Sequence, residues 1–160
     1  LARKWFSPEN TGVWMSLIIK PNIPIYQAPQ LTLLTAVAAA KAIEEQISIA
    51  PYIKWPNDLL LNNKKITGIL TEMQAEADSI HSIIIGIGIN VNQKKTDFPE
   101  ELQEIASSLQ IETGQIFARE AIISSFLRHF ENLYMVYQKE GFAVVKELWE
   151  SYAISSNSGI

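Results

Sequence analysis

The chain has 160 residues, no cysteine, 48% hydrophobic residues and a net charge of -4. That length supports one compact domain with its own core, and the missing thiols exclude disulfide frameworks, thiolate zinc sites and cysteine nucleophiles. Dispersed lysines in a weakly acidic chain argue against a broad nucleic-acid surface, and no apolar run reaches the roughly 18 residues of a membrane span.

The N-terminal LARKWFSP lacks a signal peptide's apolar stretch, so a cytoplasmic location is expected. Residues 13 to 19, VWMSLII, alternate Val13, Met15, Leu17 and Ile19 against Trp14, Ser16 and Ile18 and predict a strand. PNIP breaks it. Residues 29 to 47 place Leu33, Val37, Ala40 and Ile43 at helical spacing behind Pro29, and their alanines permit close packing against a sheet. Short strands are expected at 52 to 54 and 59 to 61 around WPND, where Pro56 fixes its own φ and favours an extended Trp55. Asn62 and Asn63 tolerate left-handed backbone and predict a tight hairpin that returns through 65 to 73. QAEADSIHS reads as a polar connection to SIIIGIGINVN, the most apolar run. A short helix is expected around 101 to 109. Ile123, Phe126, Phe130, Leu133 and Tyr137 then follow a helical period, and a second helix is expected after Gly141 through Leu148 and Trp149. Strands followed by helices give an α+β class with a mixed, largely antiparallel sheet.

The chemistry begins in the apolar run. A period of two puts Ile83, Ile85, Ile87, Ile89 and Val91 on one face and Ile84, Gly86, Gly88 and Asn90 on the other. Paired glycines on one face mean that something approaches the backbone closely, either a ligand or a packed helix. Asn90 favours a ligand, because a carboxamide both donates and accepts. There is no third glycine for a dinucleotide fingerprint. In the hairpin, Gly68 and Leu70 share a face while Lys65 has the opposite parity, so Lys65 reaches that face only at a strand start or a bulge. Lys64 and Lys65 otherwise read as a solvated hairpin edge. Lys54, close to Asp58, fits either a phosphate clamp or a structural ion pair. His81 and His129 have no metal-ligand spacing, and the serines form no nucleophile elbow.

RKWFSP, KWPNDLLLNNKKITGILTE and IIIGIGINVN, in this order, resemble the motifs of biotin protein ligases, also called biotin–[acetyl-CoA-carboxylase] ligases. The resemblance implies a fold related to class II aminoacyl-tRNA synthetases. It implies activation of biotin with Mg-ATP to biotinyl-5′-adenylate, then transfer to a lysine of a biotin carboxyl carrier domain. It assigns Lys65 to the biotin carboxylate and Lys65 with Lys54 to catalysis. Gly68, Leu70, Gly86, Gly88 and Ile89 would form the biotin pocket, while Arg3, Trp5, Lys54, Asn57, Asp58 and Asn90 would serve ATP and the adenylate. The chain starts after the family's glycine-rich arginine loop and stops before its small C-terminal domain. Residues 1 to 152 are therefore expected to be a partial catalytic domain, feeble or inactive alone, with 153 to 160 opening a linker. Pairing of two copies through a sheet edge is compatible with the family; DNA binding by this chain is not expected. A lipoate or octanoate transferase of the same fold, and a biotin-sensing transcriptional regulator without ligase activity, are the alternatives.

Overall fold

The computed structural model describes residues 6–154. Five strands form one antiparallel sheet: β1 (Gly12–Ile19), β2 (Tyr52–Lys54), β3 (Asp58–Leu61), β4 (Lys64–Glu76) and β5 (Ser79–Asn90). Their order across the sheet is β1-β5-β4-β3-β2, which puts the glycine-bearing strands in the middle. The helices are α1 (Ala28–Ile47), the one-turn α2 (Leu109–Thr113), α3 (Arg119–Glu140) and α4 (Ala143–Ile154).

Helix α1 is the centre of the molecule. It contacts β2, β3 and β4 and is flanked by α3 and α4, which themselves reach the sheet at β1 and β2. A helix enclosed by a sheet and two neighbouring helices must be apolar nearly all round. Residues 36–40, AVAAA, meet that demand with every side chain fully buried, and their small size lets sheet and helices approach. The odd-numbered isoleucines of β5 pack beneath α1, where Ile83, Ile85 and Ile89 are inaccessible to solvent. Polar ties fix the register of the layers: Thr32 and Thr71 share a hydroxyl hydrogen bond of 2.9 Å, and Tyr137 donates to Gln30 at 2.7 Å. Tyr152 donates to Glu44 at 2.6 Å, and burial with that carboxylate neighbour raises the phenol's pKa.

Two expectations need correction. QAEADSIHS is not a connection; β4 runs to Glu76, turns at Ala77 and Asp78, and returns from Ser79 as β5. This end of the ribbon stands clear of α1, so most of its side chains are exposed on both faces and ladder hydrogen bonds hold it without an apolar stripe. The helix expected at 101 to 109 is replaced by 3-10 turns at Lys95–Asp97 and Glu100–Leu102, an isolated parallel bridge from Ala106 to Lys65, and α2. Ser108 decides where α2 starts, because its hydroxyl accepts from the Ile111 amide as an N-cap.

Glu45 braces α1 against α3. Arg128 donates to Oε1 at 2.8 Å and to Oε2 at 2.7 Å, Ser125 Oγ donates to the same carboxylate, and His129 Nε2 lies 3.2 Å away. These bonds, Arg128's foremost, hold the carboxyl at about 2, below its ordinary 4.5. A carboxylate depressed in the folded state stabilises it above the unfolded pKa, and that contribution is lost as pH falls through the folded value. The stability difference between wild type and Glu45→Gln is therefore expected to be constant above about pH 4.5 and to vanish by about pH 2. Thermal melts across that range check it; a difference that widens on acidification contradicts it.

Candidate ligand-binding cleft

The face of the sheet away from α1 carries a cavity of about 690 Å³. Its floor comes from strand register. Trp14, Gly88 and Gly68 are directly opposite one another on β1, β5 and β4, and the next row on that face is Ser16, Gly86 and Leu70. Three of the six positions have no side chain. The result is a trough between the Trp14 indole and Leu70, which is 67% exposed. The Trp14 wall is fixed at its far end, where Nε1 donates to Pro8 O at 3.3 Å. No helix covers this trough among the described residues, so of the two readings of the glycine face the structure supports an open, ligand-sized space.

Lys65 enters the same cavity because β4 carries a bulge. Leu59 of β3 opposes Thr67, but the next residue, Leu60, opposes Lys65, leaving Ile66 as the extra residue. Ile66 and Thr67 are consequently both fully buried in succession, which strict alternation forbids, and Lys65 shares the cavity with Gly68. The turn before it is as expected: Asn62 and Asn63 have φ of 48° and 64°, the left-handed pair of a two-residue hairpin. Lys65 Nζ lies 3.2 Å from Asp58 Oδ1, with side chains 38% and 34% exposed. A cation and a carboxylate thus stand together at the end of a mostly apolar trough.

The other expected site residues separate into groups. Asn57 lines up beside the cleft rather than in it, with Nδ2 donating to the Ile69 carbonyl and so fastening the WPND turn to β4 just before β3 begins. Lys54 opposes Asp58 in the β2–β3 ladder but is exposed, and Asp58 turns its carboxylate to Lys65. Ile89 faces the core and does not line the cavity. Asn90, 4% exposed, spends its carboxamide inside the chain: Nδ2 donates to Ser107 O at 3.0 Å and Oδ1 accepts from Gln93 at 2.9 Å. Arg3 and Trp5 lie outside the described residues. Trp14 and Ser16 line the cavity although they lie in none of the motifs, and so does Ser7, which RKWFSP contains but which was given no role. The alternation in VWMSLII put Trp14 and Ser16 on one face, but only the pairing with Gly88 and Gly86 shows which face it is. Among the described residues no group of three or more His, Asp or Glu side chains could hold a metal ion.

Residues 2–90 match the biotin/lipoate A/B protein ligase family. The chain belongs to that family. Over 154 residues it is 54% identical to the bifunctional ligase/repressor BirA of Bacillus subtilis (strain 168), a match covering 96% of this chain and 47% of the relative. It is 28% identical over 150 residues to the biotin–[acetyl-CoA-carboxylase] ligase of Paracoccus denitrificans, covering 92% of this chain and 62% of that one. The biotin protein ligase of Aquifex aeolicus in complex with biotin and ATP superposes with a TM-score of 0.82 at 32% identity, over 94% of this chain and 61% of that one. The chain spans about half the length of the BirA proteins it matches. Membership of the biotin/lipoate ligase family and the ligase-type α+β fold are thus both as the motifs implied. No helix among the described residues is long and apolar enough to cross a membrane.

Proposed function

We propose that this chain activates biotin with ATP and passes it to a lysine of a biotin carboxyl carrier domain. The observation that carries the reading is Lys65 at the charged end of the glycine-floored trough, 3.2 Å from Asp58. Biotin is an apolar bicycle with a carboxylate tail. It calls for a slot whose floor is bare, whose walls are apolar and whose far end is cationic, and the trough has that order of surfaces. The 32% identity over 94% of this chain to a biotin protein ligase solved with biotin and ATP supports biotin over lipoate or octanoate; the likeness to a lipoate-bound P. falciparum protein is 11% identical and speaks for the fold alone.

In the first step a biotin carboxylate oxygen attacks the α-phosphorus of ATP, the α–β phosphoanhydride bond breaks and pyrophosphate leaves, so two anionic groups must meet. Lys65 neutralises the attacking carboxylate without forming a covalent bond, and preorganised positive charge at that point lowers the barrier. Lys54, exposed at the end of β2, is the candidate cation for the phosphates. Magnesium would come as Mg-ATP and would offset phosphate charge; such an ion needs only one or two protein carboxylates, and Asp58, which lines this cavity, is the residue that would hold it. In the second step the carrier's lysine amine attacks the mixed anhydride, the acyl–oxygen bond breaks and AMP leaves. Pairing of two copies through a sheet edge is proposed as well, since β1 and β2 are the outer strands and Ile18 on β1 is 69% exposed.

Biotin-dependent exchange of pyrophosphate into ATP by the full-length protein, followed by streptavidin detection of a carrier domain, tests the reading. Exchange with biotin and labelling that disappears when the carrier's acceptor lysine is replaced by arginine are expected. Exchange with lipoate or octanoate but not biotin would overturn the biotin reading.

A further inference from the structure

We propose that Glu112 is a positioning residue for Lys65, acting as a carboxylate clasp between the hairpin turn and the segment that flanks the lysine. This rests on the reading of Lys65 as the cation that meets the biotin carboxylate. Pairing between β4 and β5 stops at Thr67 and Ile89, so β5 does not set the backbone of Lys65. Residues 105–107 do. The Lys65 amide donates to Ile105 O and the Lys65 carbonyl accepts from the Ser107 amide, both at 2.9 Å. This segment lies in no named helix or strand; the Ile105 and Ala106 amides anchor its start on Leu102 O, and Asn90 Nδ2 holds Ser107 O, which leaves its outer edge to a side-chain tie through Ser107 Oγ.

Glu112 makes that tie and a second one on the other flank of Lys65. Its Oε1 accepts from Ser107 Oγ at 2.6 Å, and its Oε2 accepts from Asn62 Nδ2 at 2.5 Å. Ser107 pairs with the Lys65 backbone, while Asn62 opens the two-residue turn that delivers Lys64 and Lys65 to β4. One half-buried carboxylate therefore joins parts of the chain 50 residues apart, with Lys65 between them. An acceptor-only group suits two converging donors. Losing it loosens the Ser107 end of the strip and the turn at Asn62 together, and the lysine between them shifts; a misplacement of about 1 Å is enough to cost on the order of 100-fold in rate.

Geometry, not the charge of Glu112, is the agent, and this decides the test. In Glu112→Gln the amide oxygen still accepts from Asn62 and the amide N–H donates to Ser107 Oγ, which accepts as readily as it donates. In the full-length protein, Glu112→Ala is expected to lower kcat for biotinyl-adenylate formation about tenfold while KM for ATP moves less than about twofold, and Glu112→Gln is expected to stay within about threefold of wild type. Asn62→Gly keeps a residue suited to left-handed backbone, loses one bond, and is expected to cost about threefold. Because the clasp works through Lys65, Glu112→Ala added to Lys65→Ala should cost nothing further in kcat. An additive loss in that double variant, or an unchanged kcat in both Glu112→Ala and Asn62→Gly while Lys65→Ala is slow, overturns the clasp and leaves the reading of Lys65 intact. Wild-type rates in Lys65→Ala overturn that reading and the clasp with it.

Discussion

Lys65→Ala in the full-length protein is expected to reduce kcat/KM for biotin-dependent adenylate formation by about 100-fold, or about 2.7 kcal/mol. Two losses combine. The cation that offsets charge as carboxylate and phosphate converge is removed, and Asp58, now without its partner at 3.2 Å, leaves an uncompensated carboxylate facing an anionic ligand. Both biotin affinity and the adenylation rate should fall, the rate more, because the charge contact strengthens as the two anions approach. Stopped-flow or exchange kinetics with calorimetric binding resolve the two contributions. If both constants stay within about twofold of wild type, the electrostatic role assigned to Lys65 is wrong.

Gly86→Ala is expected to leave the fold intact and to weaken biotin binding by about tenfold, with Gly86→Val weaker again by a similar factor. A Cβ at Gly86 would have Leu70 O at 3.6 Å as its nearest neighbour, an ordinary contact, so the sheet accepts the methyl group. Alanine in a strand interior is favoured over glycine by roughly 0.5–1 kcal/mol, and the melting temperature should hold or rise. The methyl group instead stands on the floor of the trough, in space a ligand must use. Gly12 provides the contrast. A Cβ there would fall against the Trp14 ring and within 2.7 Å of Ile89 O, so Gly12→Ala should lower stability and distort the Trp14 wall. Thermal melts and biotin calorimetry on the same preparations separate the two glycines. Biotin binding by Gly86→Ala within about twofold of wild type would remove Gly86 from the floor.

Local signals in the sequence carried much of this arrangement. The Asn62-Asn63 pair marks a left-handed turn because few other residues accept that backbone, and the alternation of SIIIGIGIN marks a bare face because burial alternates with the pleat. The position of Lys65 was not legible. Strand parity put it opposite Gly68, and the inversion comes from a bulge at Ile66 whose cause is pairing with two different neighbours, β3 and residues 105–107. The outer ends of β4 and β5 were missed because a two-stranded ribbon projecting into solvent needs no apolar face. Glu112 was missed for a different reason. Its partners, Asn62 and Ser107, belong to a contact that exists only after the hairpin and the 105–112 segment have come together.

On the function proposed, Lys65 recognises the carboxylate of biotin in the glycine-floored trough. Calorimetric titration of wild type and Lys65→Ala with biotin and with biotinamide, its uncharged analogue, tests it most directly. Wild type is expected to prefer biotin over the amide by about tenfold or more, and Lys65→Ala is expected to bind the two alike. The same preference in both proteins would contradict the account.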